Sequence, residues 1–502
     1  MTVYNINLGI GWANSGVEYA QLYRSKIFQQ MQQPAKFIFL DFISSDNIEH
    51  LTHNLGFRDE DVIWLYQYFT DIKIAPTTYR TDDLEQTFAH DFDRVERTDN
   101  FIRYYFDAAE EMVTGYFGTK NKAVIERAEF VSKGKLIRKD FFTTTRLFSE
   151  YYAPRDDRAY LYERHYFNND GSVAYEELID GDQVMYRFKD RILYHHTELV
   201  AYLLQSLGLT SQDVIILDRE TGVGSTVFKN KGQAKLGVVV HAEHFSENYT
   251  NQHHILWNNF YEYQFTQASH VDFFITATAA QKKVLDRHFK KYLGQKPKVV
   301  EIPVGNLAAL RQPEKPRRHH SLLTASRLAP EKHVDWLAKA VVKVQQVIPD
   351  VTFDIYGNGA EGDKIRQVIS DNHAEAYIQL KGHADMTAIY ENYAAYISAS
   401  TSEGFGLTLM EAVGSGLPII GFDVPYGNQN FILPDKNGYL VAYNEAQAIE
   451  DYTDGLAQAI IKLLEQPDLT AFSQASYQLA EKYLNSAVQA TWRKALAEVT
   501  HD

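Results

Sequence analysis

The stretch AAYISASTSEGFGLTLMEAVGSGLPIIGFD, Ala394–Asp423, passes from an apolar run through a glycine-bearing loop into a helical pattern and out into a second apolar run. Strand, loop, helix and strand in that order are the repeating unit of a parallel sheet. Ligands of such sheets bind beyond the carboxyl ends of the strands, which is where Glu403, Gly404, Phe405, Gly406, Leu407 and Thr408 lie. Backbone N–H groups at the start of the helix would face an anion there. Glu403 could accept hydrogen bonds from sugar hydroxyls, and Glu411, on the helix, could reach a ribose. Taken alone, two glutamates eight positions apart are more often a solvated loop residue and an ordinary helix-face charge.

Around this unit lie further short apolar runs, SLLTAS, VTFDIYG and YIQLKGH, separated by helical segments such as VDWLAKAVVKVQQVIPD. They predict one α/β domain over 321–502, its last helix crossing back to an earlier domain. The polar, Pro-containing segment 307–320 suits a linker. Arg327 and Lys332 follow the run SLLTAS and could neutralise a diphosphate leaving group without a metal, although a solvated surface pair is the plainer alternative. Tyr356 and Gly357 in DIYGNG, with His383 and Ala384 in KGHADM, are strand-to-loop turns whose backbone could line a nucleotide base.

The chain opens in the same style, with the strand TVYNINLGI, a glycine loop and a helix whose Ser15 and Glu18 form a capping box. Backbone amides at Gly16 and Val17 suit a phosphate or a sugar. From 47 to 194 the pattern becomes two-sided alternation rich in Tyr and Phe, with turn signals such as NNDG and DGD between runs, predicting an inserted antiparallel sheet. The α/β pattern returns over 195–306, so 1–46 and 195–306 are expected to form one N-terminal, Rossmann-like domain on the acceptor side. His241, just past the apolar run in VVVHAEH, could place a ring N–H at a sugar hydroxyl near the reacting carbon, or could be a satisfied strand-end histidine.

Composition narrows the classes. The chain has 502 residues and a formal net charge of -15, so its average field repels nucleic acid and anionic membrane. It contains no cysteine, which removes disulfides, thiolate metal sites and a cysteine nucleophile. No export signal and no apolar run of about 18 residues is visible, so a cytoplasmic protein is expected, at most peripheral at the inner face of the cell membrane. Gly9, Gly11 and Gly16 do not make a dinucleotide fingerprint. His241 and His244 have no third ligand for zinc, and Asp91–Asp93 reads as a solvated turn. No metal is expected.

SRLAPEKHVDWL, then DIYGNG, then GH, then SEGFGLTLMEA resembles the retaining nucleotide-sugar glycosyltransferases of family 4. The resemblance implies the GT-B fold, two Rossmann-like domains facing across a cleft, here with a large antiparallel β-sheet insertion in the first. It also implies donor binding by Glu403, Glu411, Arg327, Lys332 and the NSGVE loop, with front-face attack and retention. The fuller match of YNINLGIGWANSGVEYAQLYR, VVVHAEHFSEN and EGFGLTLMEAVGSGLPIIGFDVPYGNQNFI is similar to the catalytic subunits that O-glycosylate serine-rich adhesins in Gram-positive accessory secretion systems. That similarity implies UDP-GlcNAc or UDP-glucose as donor and Ser/Thr of the adhesin as acceptor. It implies a non-catalytic paralogous partner in a heterotetramer, with the insertion binding that partner or the adhesin. A glycan-binding chaperone and a transferase for polysaccharide or small acceptors are the alternatives.

Overall fold

The computed structural model describes residues 1–12, 14–156 and 158–500. Three large sheets carry the architecture, of seven, ten and six strands. The chain divides into two compact units, Met1–Ser25 with Gln32–Gly237, and Lys26–Met31 with Val238–Asp502.

In the first unit the strand Val3–Asn7 lies between Val214–Leu217 and Ala35–Phe39, with Val62–Trp64 outside the latter, all parallel. The helix Gly16–Gln30 starts from a capped turn in which the Ser15 N–H donates to Glu18 Oε2 at 2.7 Å and the Val17 N–H to Ser15 Oγ at 3.2 Å. Deeper in, Arg24 forks onto Asp218 with two bonds of 2.8 Å, tying the helix to the end of Val214–Leu217. Both side chains are almost fully buried, so breaking the pair would strand a charge.

The ten-stranded sheet is an antiparallel meander from Arg94–Arg97 to Ile192–Leu193, each strand pairing with its sequence neighbours. Tyr166, Tyr175 and Tyr186, all fully buried, share one face by register, and the fully buried Tyr104 lies on the opposite face with Val113 and Phe130. Elsewhere arginines lie over aromatic rings on the neighbouring strand in direct register, Arg94 on Tyr105, Arg127 on Tyr116 and Arg138 on Phe130. Such cross-strand pairs add to the stability of the sheet on both of its faces. The expected opening of this insertion at 47 is too early. Residues 48–64 carry the helix Ile48–Leu55 and the parallel strand Val62–Trp64, and three residues are too few for periodicity to separate from the aromatic run that follows.

In the second unit the six-stranded sheet is parallel, in the order Ile378–Gly382, Thr352–Tyr356, Ser321–Ala325, Ala395–Ile397, Ile419–Phe422, Gly438–Val441. In chain order this is 3-2-1-4-5-6, the doubly wound arrangement, with its switch point between Ser321–Ala325 and Ala395–Ile397. The helices Val334–Gln345 and Ile449–Leu464 cover one face, with Trp336 stacked on Tyr452 at 5.0 Å. The last helix, Asn485–Thr500, sets Trp492 edge-on against Phe28, and Gln489 bonds Gln30, which places Lys26–Met31 in this unit. Residues 238–306 group with this unit in compactness, while Lys235–Val240, Phe273–Thr276 and Val299–Glu301 complete the seven-stranded sheet of Val3–Asn7, where the N-terminal domain was expected to hold them. The segment after 307 is not a free linker, since Leu307 exchanges backbone bonds with Tyr483 and Asn485.

Candidate active site

The site grows from the switch point of the six-stranded sheet. Two neighbouring parallel strands end there, and their loops diverge to opposite faces, leaving a crevice that side chains from both can line. From the first strand comes the turn Pro330–Lys332, and from the second the loop holding Glu403. The Thr401 N–H donates to the Glu331 carbonyl at 3.2 Å, joining the two loops through backbone. Above that bond Lys332 Nζ donates to Glu403 Oε2 at 2.6 Å. The side chains are 16% and 20% exposed, so the pair is shielded yet reachable from solvent. A charge-assisted bond of this length fixes both groups in place.

Arg327 behaves differently. Its guanidinium is 65% exposed and lies 3.4 Å from Glu331, outside the Lys332–Glu403 pair. The two cations read together from sequence therefore have separate settings, with Lys332 held and Arg327 on a solvated arm.

Gly406 occupies the left-handed region at φ 87°, which turns the chain into the helix Leu407–Gly414. Glu411 lies one turn along and accepts a bond from the buried Tyr390 hydroxyl at 3.0 Å. Thr408 Oγ1 is 2.9 Å from the hydroxyl of the buried Tyr396, which also donates to the Ala325 carbonyl. Phe405 is buried and packs edge-on against Phe431, while Leu407 is only partly buried. The turns after two neighbouring strands meet, the Gly357 N–H donating to the Gly382 carbonyl at 2.8 Å beside His383 and Ala384. The Tyr356 hydroxyl is engaged with Tyr393 at 2.8 Å, so backbone is what this turn offers a ligand.

His241 follows the strand Lys235–Val240, and the Tyr261 hydroxyl accepts from both the His241 and Ala242 N–H groups at 3.0 Å. A Cβ on Gly404 would lie 2.4 Å from the His241 carbonyl oxygen, so the two loops touch backbone to backbone. His244 lies three residues on, in the same loop. It is buried, with Nε2 3.2 Å from His288 Nδ1, and desolvation pushes it down to about 3 and His288 to about 4.

In the first unit the Gly16–Val17 turn gains a cation that sequence reading missed. Arg219 donates to Ser15 Oγ at 2.8 Å and lies 3.5 Å from Glu18. It stands two residues after the buried strand Val214–Leu217, and the strand-end rule applied to VIILDRE would have found it. Ser15→Ala removes the cap and the anchor of Arg219, and is expected to cost about 1 kcal/mol of stability, read from the midpoint of urea unfolding.

Two family models match the chain, the GtfA extended beta-sheet domain over 94–190 and glycosyl transferases group 1 over 319–466. The first coincides with the antiparallel meander and the second spans the doubly wound sheet. The GtfA subunit of the UDP-N-acetylglucosamine–peptide N-acetylglucosaminyltransferase of Streptococcus gordonii is 54% identical over 503 residues, covering 100% of this chain and 99% of that protein. The crystal structure of the pneumococcal O-GlcNAc transferase GtfA in complex with UDP and GlcNAc superposes with a TM-score of 0.95 at 50% identity, over 100% of this chain and 99% of that one. A chain of a GtfA/B complex superposes with a TM-score of 0.96 at 54% identity, over 100% of both chains.

Proposed function

Because this chain belongs to the family of GtfA subunits of UDP-N-acetylglucosamine–peptide N-acetylglucosaminyltransferases, we propose that it moves GlcNAc from UDP-GlcNAc to Ser/Thr hydroxyls of a serine-rich adhesin, before export and in the cytoplasm. The observation that carries the reading is the Lys332–Glu403 pair at the switch point of a doubly wound sheet. There an ammonium and a run of helix amides can face a diphosphate beside a carboxylate that can face a sugar.

In this mechanism the bond between the anomeric carbon and the UDP oxygen breaks, and the acceptor oxygen attaches on the same face. The acceptor proton passes to a UDP phosphate oxygen. Lys332, the exposed Arg327 and the amides after Gly406 stabilise the charge that develops on UDP. Glu403 and His241 hold the transferred sugar, Glu411 the ribose, and the turns at Gly357 and His383–Ala384 the base. The Gly16–Val17 turn, with Arg219, serves as a second polar cradle. These charges come from the chain, so no metal is required. A non-catalytic subunit of the GtfB kind is the proposed partner, in a heterotetramer.

The test is mass spectrometry of a Ser/Thr-rich adhesin peptide incubated with UDP-GlcNAc or UDP-glucose, with and without the partner. A hexosamine adduct with release of UDP is expected, and its rate in EDTA should stay within about twofold of that in magnesium, as electrostatic rather than metal-assisted catalysis requires. Absence of any adduct from folded protein with its partner present would overturn the assignment.

A further inference from the structure

The loop of Glu403 and the loop of His241 belong to different strands, so something must set their spacing. The Glu403 carbonyl accepts two backbone bonds of 2.8 Å, from the N–H groups of Tyr426 and Gly427. Tyr426 is 3% exposed, and its hydroxyl donates to Glu243 Oε1 at 2.7 Å, two residues beyond His241. The Glu243 carbonyl in turn accepts from the Asn258 side chain at 2.9 Å, and the Ala242 carbonyl from Gln281 at 2.8 Å, which anchors the His241 loop to its own surroundings. Beneath the tyrosine, the neutral ring of His244 lies nearly parallel to it, 20° off at 6.3 Å between centroids. Burial raises both the Glu243 carboxyl and the Tyr426 hydroxyl, and the bond from Tyr426 pulls the carboxyl part of the way back down.

We infer that Tyr426 is a positioning residue for glycosyl transfer, its backbone holding the Glu403 carbonyl and its hydroxyl holding Glu243, so that one side chain sets the distance between His241 and Glu403. Neither Tyr426 nor Glu243 needs to touch the sugar. The chemistry needs the Oη–Oε1 bond to persist, because it ties together, across 183 residues of sequence, two loops that also meet where Gly404 packs against His241. The inference rests on the glycosyl-transfer reading above.

The experiment compares wild type, Tyr426→Phe, Glu243→Gln, Glu243→Leu and the double variant Tyr426→Phe/Glu243→Leu, each with the partner subunit, adhesin peptide and UDP-GlcNAc. Tyr426→Phe is expected to lower kcat about tenfold with KM for UDP-GlcNAc within about twofold, because the diphosphate contacts are intact while the sugar contacts drift apart. Glu243→Gln keeps an acceptor oxygen for the hydroxyl and should retain most of kcat, whereas Glu243→Leu should match Tyr426→Phe. The double variant should be no worse than either single one, as for two ends of one bond. Full kcat in Tyr426→Phe, additive losses in the double variant, or a loss that follows the melting temperature rather than kcat would each overturn the inference. Wild-type protein that transfers nothing would instead overturn the functional reading itself.

Discussion

Lys332→Ala is expected to lower turnover about 10²–10³-fold, the range found when one preorganised donor to a developing oxyanion is removed. The pair it breaks is 16% and 20% exposed, so the Glu403 carboxylate left behind can be rehydrated. The stability penalty is therefore expected at about 1 kcal/mol, in the range of a partly solvated ion pair. Activity and stability should separate, with UDP release falling sharply and the unfolding midpoint moving little. Lys332→Arg is a sharper control. It restores charge, but a planar fork cannot occupy the position of an ammonium 2.6 Å from Glu403 Oε2, so it is expected to recover only part of the rate. Arg327→Ala, on an arm 65% exposed, should cost much less than Lys332→Ala, and equal losses in the two variants would contradict the separate settings described above.

Gly404→Ala is expected to be a strongly damaging single-methyl change in the site. Its Cβ would stand 2.4 Å from the His241 carbonyl oxygen and 3.5 Å from Ala242 Cα, and both of these neighbours are backbone. They cannot rotate away, so the loops must part. Overpacking of this kind costs roughly 1–3 kcal/mol. A displacement of about 1 Å at a catalytic contact costs on the order of 10²-fold in rate. Single-turnover kinetics with UDP-GlcNAc, alongside thermal unfolding, would check both numbers. A Gly404→Ala protein with near-normal transfer would show that contact between these loops is not needed for chemistry.

Much of this architecture was legible before any coordinates. Short apolar runs alternating with helical periods announce a parallel sheet. The loop SEGFG, Ser402–Gly406, announces a strand end and helix start, and the Ser15–Glu18 capping box is present as read. The antiparallel meander was legible from period-two alternation and its turn residues. Each of these signals is local, because hydrogen-bond geometry and side-chain alternation repeat within a few residues. The opening of the insertion was misjudged where the signal was shortest, at Val62–Trp64, a three-residue strand beside a Tyr- and Phe-rich run.

The sequence by itself determined the classes of residue present at each strand end and the order in which strands and helices follow one another. Tertiary structure alone decided which of those residues meet. Lys332 finds Glu403 across 71 residues, Tyr426 finds Glu243 across 183, and Arg219 finds Ser15 across 204, while Arg327, five residues from Lys332, stays in solvent. No periodicity carries such pairings, because they depend on which strand lies beside which. Strand order is set by the burial of whole apolar faces and by the right-handed crossover of parallel units, and both act over the full length of the fold.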